Sequence, residues 1–318
     1  MNAPPASARG VGLAAAAVSA IAWGSAFPAL ALAMAHIHPL WVSAIRFAIA
    51  LPVLLLILVC LEGARALRFD GKFWAMLFIG GGGIAGYNIF ALAGMNISGA
   101  AHGALMFATV PLMTAVANAV RTRTMPSIAT LACVVAAFLG IALVITGGDP
   151  AVLARGGSVI GDGLLLLGSV AWVTYTIERA KYPTFSALRF TSLTMITGEL
   201  VIAIAAVVAM IWLRVGFPAG SELRAADWLL VYGGIVPVVV AMLLYNLAIG
   251  KIGPASTALF ANAVPIVTIA IEAARGVHLT PVEYAGATVV LVALVVNNLL
   301  ASPRVHRDLL FHDHPRIA

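Results

Sequence analysis

Charge is what this sequence has least of. Asp, Glu, Lys and Arg make up only 9% of its 318 residues, against about 25% in an ordinary soluble domain. That is too little to cover a water-facing surface, so a soluble globular protein is excluded. With 62% hydrophobic residues, disorder is excluded too. There are two cysteines, Cys60 and Cys133, both inside apolar runs. They provide neither a disulfide framework nor metal-ligand spacing and read as small packing residues. No phosphate-binding Gly-x-x-x-x-Gly-Lys-Ser/Thr stretch occurs, so ATP does not drive the protein directly. His-Glu-x-x-His, Gly-x-Ser-x-Gly and paired intramembrane aspartates are also missing, which argues against an intramembrane enzyme.

What the chain does have is apolar length. Hydrophobic runs recur throughout it, at roughly 11–34, 40–61, 72–93, 99–120, 127–146, 159–180, 185–212, 227–249, 254–275 and 281–301. Ten spans leave short loops and no room for a soluble catalytic domain. Span one alone has the look of a signal peptide, but its length and the nine spans after it imply that it stays attached.

The few basic residues set an orientation. Ten spans put both termini on one side, together with Arg9, Arg65, Arg68, Lys72, Arg121, Arg123, Arg179, Lys181, Lys251, Arg304, Arg307 and Arg316. That is 12 of the 18 Lys and Arg. Arg155, Arg214, Arg224 and Arg275 fall on the other side, while Arg46 and Arg189 lie within spans. This bias predicts cytoplasmic termini. It also explains the net charge of +6 without nucleic acid.

The two halves resemble each other. Ser43-Ala44-Ile45-Arg46-Phe47 opens span two, and Ser186-Ala187-Leu188-Arg189-Phe190 opens span seven. Trp23 and Trp172 sit mid-way in spans one and six, and Trp74 and Trp228 begin spans three and eight. Val110-Pro111 answers Val264-Pro265, Gly99 answers Gly253, and Arg121 answers Arg275. Five is odd, so the second half runs inverted through the membrane, a device of secondary transporters. The predicted fold is an all-α membrane protein of ten transmembrane helices in two inverted five-helix repeats. Residues 1–10 form a cytoplasmic segment, 11–146 the first repeat, 147–158 a linker, 159–301 the second repeat and 302–318 a cytoplasmic tail.

These features resemble the drug/metabolite transporter superfamily, and within it the EamA-type exporters of aromatic and other neutral amino acids. The resemblance implies a cavity lined mainly by spans one, three, four, six, eight and nine, open alternately to each side. Small multidrug members carry a membrane-buried Glu in their first span. Span one here has no acid, which favours a neutral or zwitterionic substrate over a cation exchanged for protons.

Intramembrane polar groups are functional candidates because burying them in lipid is costly. Glu199, mid-way along span seven, is either a proton-coupling or substrate-amine site or a hydrogen-bonded carboxyl fixing helix packing. His102 in span four either shuttles protons or bonds a carbonyl. Met106 shares its helical face. Tyr87-Asn88 and Tyr245-Asn246 either bind substrate or hydrogen-bond between helices. They follow Gly80-Gly81-Gly82-Gly83 and Gly233, Gly234 and Pro237, where close packing or bending is expected. Trp23, Trp172 and Tyr175 are candidate cavity aromatics. Asn262 is one turn from Pro265, where backbone groups are freed. Pro111 and Pro265 are candidate hinges.

Arg46 and Arg189 read as snorkelling or structural pairing rather than substrate contact. Asp162 is expected close to water, Glu178 in a solvated cluster with Arg179 and Lys181, and Glu272 paired with Arg275. The tail histidines His306, His312 and His314 read as a basic tail rather than a metal site. No metal and no cofactor are expected. The expected partners are a small-molecule substrate (amino acids or related metabolites) and the lipid bilayer of the inner membrane. Ten spans suffice for a complete cavity in a monomer.

Overall fold

The computed structural model describes residues 6–296 except 111, 115, 118–127, 150, 152–156, 180, 259, 261–262, 278 and 294. Among the described residues every regular element is helical. Six helices are long and apolar enough to cross a membrane. They are α1 (Ala6–Met34), α2 (Pro39–Glu62), α3 (Phe73–Ser98), α6 (Gly157–Arg179), α7 (Ala187–Trp212) and α8 (Gly220–Ile252). Four shorter apolar helices accompany them: α4 (Ala100–Thr114), α5 (Ile128–Thr146), α9 (Ala263–Ala274) and α10 (Pro281–Ala293).

Local chemistry sets the helix ends. His38 caps α2 by accepting from the Leu40 N–H at 3.3 Å, and Pro39 follows where its missing donor is harmless. Ser186 Oγ caps α7 by accepting from the Arg189 N–H at 2.9 Å. Gly99, at φ +93°, ends α3 and lets α4 begin one residue later. Helix α8 starts at Gly220, seven residues before the expected span at 227. Glu222 Oε2 accepts from the Ala219 N–H at 2.7 Å and holds that extra first turn.

Two helices depart from regular winding. Phe78–Ala85 of α3 and Ile235–Ala241 of α8 are π-helical. The first covers the glycine run and the second contains Pro237, so the residues expected to bend or pack closely do both. Cβ atoms built on Gly83 and Gly94 would come within 2.7 Å of Tyr175 Cβ and 2.8 Å of Leu165 Cγ. Helices α3 and α6 therefore touch through their backbones, as small-residue membrane interfaces do.

Candidate functional site

Aromatic rings from five helices meet at the centre of the bundle. Trp23 on α1 stands edge-on to Trp172 on α6, with centroids 5.4 Å apart and planes at 87°. Phe107 on α4 lies 5.7 Å from Trp23 and 5.8 Å from Trp172. Tyr87 on α3 lies 5.3 Å from Trp172. Tyr245 on α8 lies 4.9 Å from Trp23, and Tyr175 stacks on Trp172 at 5.1 Å. Such offset and edge arrangements are the favoured ones for quadrupolar rings.

The rings border a cavity of about 50 Å³. Its walls come from α1 (Trp23, Phe27, Leu30), α2 (Arg46, Phe47), α3 (Tyr87, Asn88, Met95), α4 (Phe107), α6 (Trp172) and α8 (Pro237, Met242). The implied lining by spans one, three, four, six and eight is present. Helix α2 contributes as well, and among the described residues none from span nine is on the wall.

Proline chemistry builds the polar side of this wall. In a regular helix the Gly233 carbonyl would accept from the N–H of residue 237, but Pro237 has none. Arg46 Nη1 donates to Gly233 O instead, at 3.2 Å. The Pro237 carbonyl accepts from Trp23 Nε1 at 3.0 Å. Arg46 Nη2 donates to Asn88 Oδ1, while Asn88 Nδ2 donates to Ile84 O at 2.8 Å within the π-helical turn. Arg46 is 4% exposed and pairs structurally through these bonds rather than snorkelling, and it also lines the cavity. It is the residue that sequence reasoning missed. The available signal was an arginine inside an apolar span.

The remaining candidates fall elsewhere. Tyr175 and Tyr245 back the cavity aromatics. Asn246 is buried and donates to Thr191 Oγ1 at 2.8 Å and the Tyr175 hydroxyl at 3.2 Å. Met106 is buried, and its carbonyl accepts from Ser169 Oγ at 3.2 Å. Pro265 is buried in α9. Glu199 is not on the cavity wall, and its Oε2 has no partner among the described residues. Pro111 and Asn262 lie outside the described residues, as does the tail with His306, His312 and His314.

A second polar site lies where α4, α6 and α10 begin. His102 Nδ1 is 3.0 Å from Asp162 Oδ1, and His102 Nε2 is 3.9 Å from Glu283 Oε1. Asp162 was expected close to water but is 1% exposed. Its position near a span start misleads because α4 brings His102 against it. Glu272 and Arg275 pair at 2.6 Å, as their spacing predicts. Glu178 pairs with Lys181, whereas Arg179 turns inward to the Tyr182 and Phe185 carbonyls. Cys133 is buried, but Cys60 is exposed.

Comparison with known proteins agrees with this architecture. The EamA-like transporter family matches residues 10–146 and again residues 159–299. Two curated relatives come from Bacillus subtilis (strain 168). The uncharacterized transporter YrdR is 25% identical over 298 residues, covering 92% of each chain. The uncharacterized transporter YyaM is 25% identical over 274 residues, covering 86% of this chain and 88% of the relative. One crystal structure superposes with a TM-score of 0.63 at 21% identity, covering 93% of this chain and 98% of the other, which supports the fold alone. The chain is a multi-pass membrane protein and belongs to the EamA-like transporter family.

Proposed function

We propose that the protein is a secondary transporter exporting small metabolites across the cell (inner) membrane, with amino acids, aromatic ones included, as leading substrates. The observation that carries this reading is the aromatic cavity built around Trp23, Tyr87, Phe107 and Trp172. Rings receive an apolar side chain, and Asn88 beside the kinked helices offers polar contacts. At about 50 Å³ the cavity is far below the roughly 300–1,000 Å³ of ligand sites. A substrate of amino-acid size needs the helices to part, which suits alternating access.

Ten spans in two inverted repeats are part of this proposal. It is supported by a family match to each half separately. The π-helical segments in spans three and eight support it as well. Both termini are cytoplasmic, Pro111 and Pro265 are the hinges, and a monomer holds the complete cavity. His102 and Glu199 are the coupling candidates: His102 because it bridges Asp162 and Glu283, Glu199 because its Oε2 is buried without a partner.

The test is a counterflow panel with purified full-length protein in liposomes, using amino acids, nucleosides and lipophilic organic cations. Saturable counterflow of aromatic amino acids supports the reading. Counterflow of cations alone transfers the protein to multidrug export, which the mostly apolar cavity lining also suits. No saturable counterflow with any solute overturns the transporter reading.

A further inference from the structure

We infer that Arg46 is the anchor for a carboxylate on the transported solute. The inference rests on the cavity being the transport site, and it supplies the chemical class of what binds there. The guanidinium is buried, and both of its bonded acceptors, Gly233 O and Asn88 Oδ1, are uncharged. Its Nε is buried with no partner among the described residues. Among those residues, none of the ion pairs within 4.0 Å includes Arg46. Glu199 is near enough to be felt electrostatically but does not bond it.

A guanidinium has five N–H donors and stays charged. Buried beside apolar rings with no carboxylate bonded to it among the described residues, it is incompletely compensated, although its neutral acceptors are in place. Phe47 covers one face of the group at 4.8 Å. Nε is its buried donor without a partner among the described residues, and a carboxylate fits the guanidinium fork with two parallel bonds. A single cation in an otherwise apolar wall suits a monoanion better than a phosphate dianion. The rings beyond it take the apolar remainder of the same molecule. The placement of Arg46 depends on Pro237, whose missing N–H frees the Gly233 carbonyl that holds the guanidinium in the wall.

The experiment compares matched ligands on wild type and variants, reading binding by quenching of the cavity tryptophans and transport by counterflow. The probes are phenylalanine, phenylalaninamide and 3-phenylpropionate. Wild type is expected to bind phenylalanine about 10–100-fold more tightly than its amide, the range of one charge-assisted contact. Arg46→Gln should erase that ratio and the binding of 3-phenylpropionate while amide binding changes less than about 2-fold, within one weak contact. Arg46→Lys should give an intermediate ratio. Asn88→Asp keeps Arg46 and supplies an internal carboxylate, so it should also erase the ratio. That variant decides the matter if Arg46→Gln does not fold.

A variant that weakens acid and amide alike assigns Arg46 to structure and overturns the inference. Wild type that does not prefer either carboxylate over the amide overturns it too. Absence of amino-acid counterflow with Arg46-dependent binding of 3-phenylpropionate would instead retain the anchor and reject amino acids as substrates.

Discussion

His102 Nδ1 and Asp162 Oδ1 stand 3.0 Å apart and tie the first turn of α4 to the start of α6. Asp162 Oδ2 is buried with no partner among the described residues, and Glu283 faces the other ring nitrogen at 3.9 Å. Removing the imidazole leaves an enclosed carboxylate unpaired. His102→Ala should therefore cost about 3–5 kcal/mol. Adding Asp162→Asn should recover most of it, because the stranded charge is then gone. Thermal unfolding in detergent, read for both single variants and the double, checks the coupling. If the pair also carries protons, His102→Gln should abolish the pH dependence of net transport while counterflow persists. An unchanged pH profile would leave the pair as packing alone.

The helices were legible because each is a long apolar run closed by a local signal, such as Pro39 after His38 or the positive φ of Gly99. Trp23 and Trp172, both read as mid-span cavity aromatics, do meet edge-on. What could not be read is where a long polar side chain goes. Arg46 and Arg189 share a five-residue motif, yet Arg46 enters the cavity and Arg189 binds a loop. The difference lies in their surroundings: Pro237 frees a carbonyl for Arg46, and the chain at Ala66 to Asp70 presents oxygens to Arg189. Both partners are remote in sequence. Asp162 illustrates the same limit, since its partner His102 lies far from it along the chain.

The glycine run separates into positions that need glycine and one that does not. A Cβ at Gly83 would lie 2.7 Å from Tyr175 Cβ and 3.2 Å from its Cα, where nothing flexible can yield. Gly83→Ala should destabilise by about 1–3 kcal/mol through overpacking. At Gly82 a Cβ meets nothing within 4 Å. Gly82→Ala should be neutral or stabilising, by up to about 1 kcal/mol from helix propensity. Melting temperatures of the two variants side by side test the α3–α6 contact directly, and equal melting would refute it.

On the loop between α2 and α3, Arg189 Nη2 donates to Asp70 Oδ2 and to the Arg68 carbonyl, each at 2.6 Å, and Nε donates to Ala66 O at 3.1 Å. The hydrogen bond from Arg189 holds the Asp70 carboxyl below its ordinary value. A carboxyl lowered on folding contributes fully above its unfolded value and loses that contribution as pH falls through its folded one. The clamp should therefore stay closed from neutral pH to about 5, begin to weaken below about 4, and open only as pH falls through the lower folded value. Asp70→Asn should loosen it at every pH. Hydrogen-exchange protection of residues 64–72, corrected for intrinsic exchange, is the readout. Protection equal to wild type in Asp70→Asn would show that the carbonyl contacts alone hold the loop.

Trp23 combines two roles that one substitution can separate. Its ring faces Phe107, Trp172 and Tyr245, while its Nε1 holds the Pro237 carbonyl in the π-helical turn at 3.0 Å. Trp23→Phe keeps an aromatic wall and removes the donor, leaving a buried carbonyl without that partner. The expected loss is about 1–3 kcal/mol of stability, with substrate preference largely retained. Trp23→Ala removes ring and donor together, so it should also enlarge the cavity and shift preference towards bulkier side chains. Competition counterflow across amino acids of graded size separates the two effects. If both variants keep the wild-type ranking, the ring does not contact substrate, and Trp23 is confined to supporting α8.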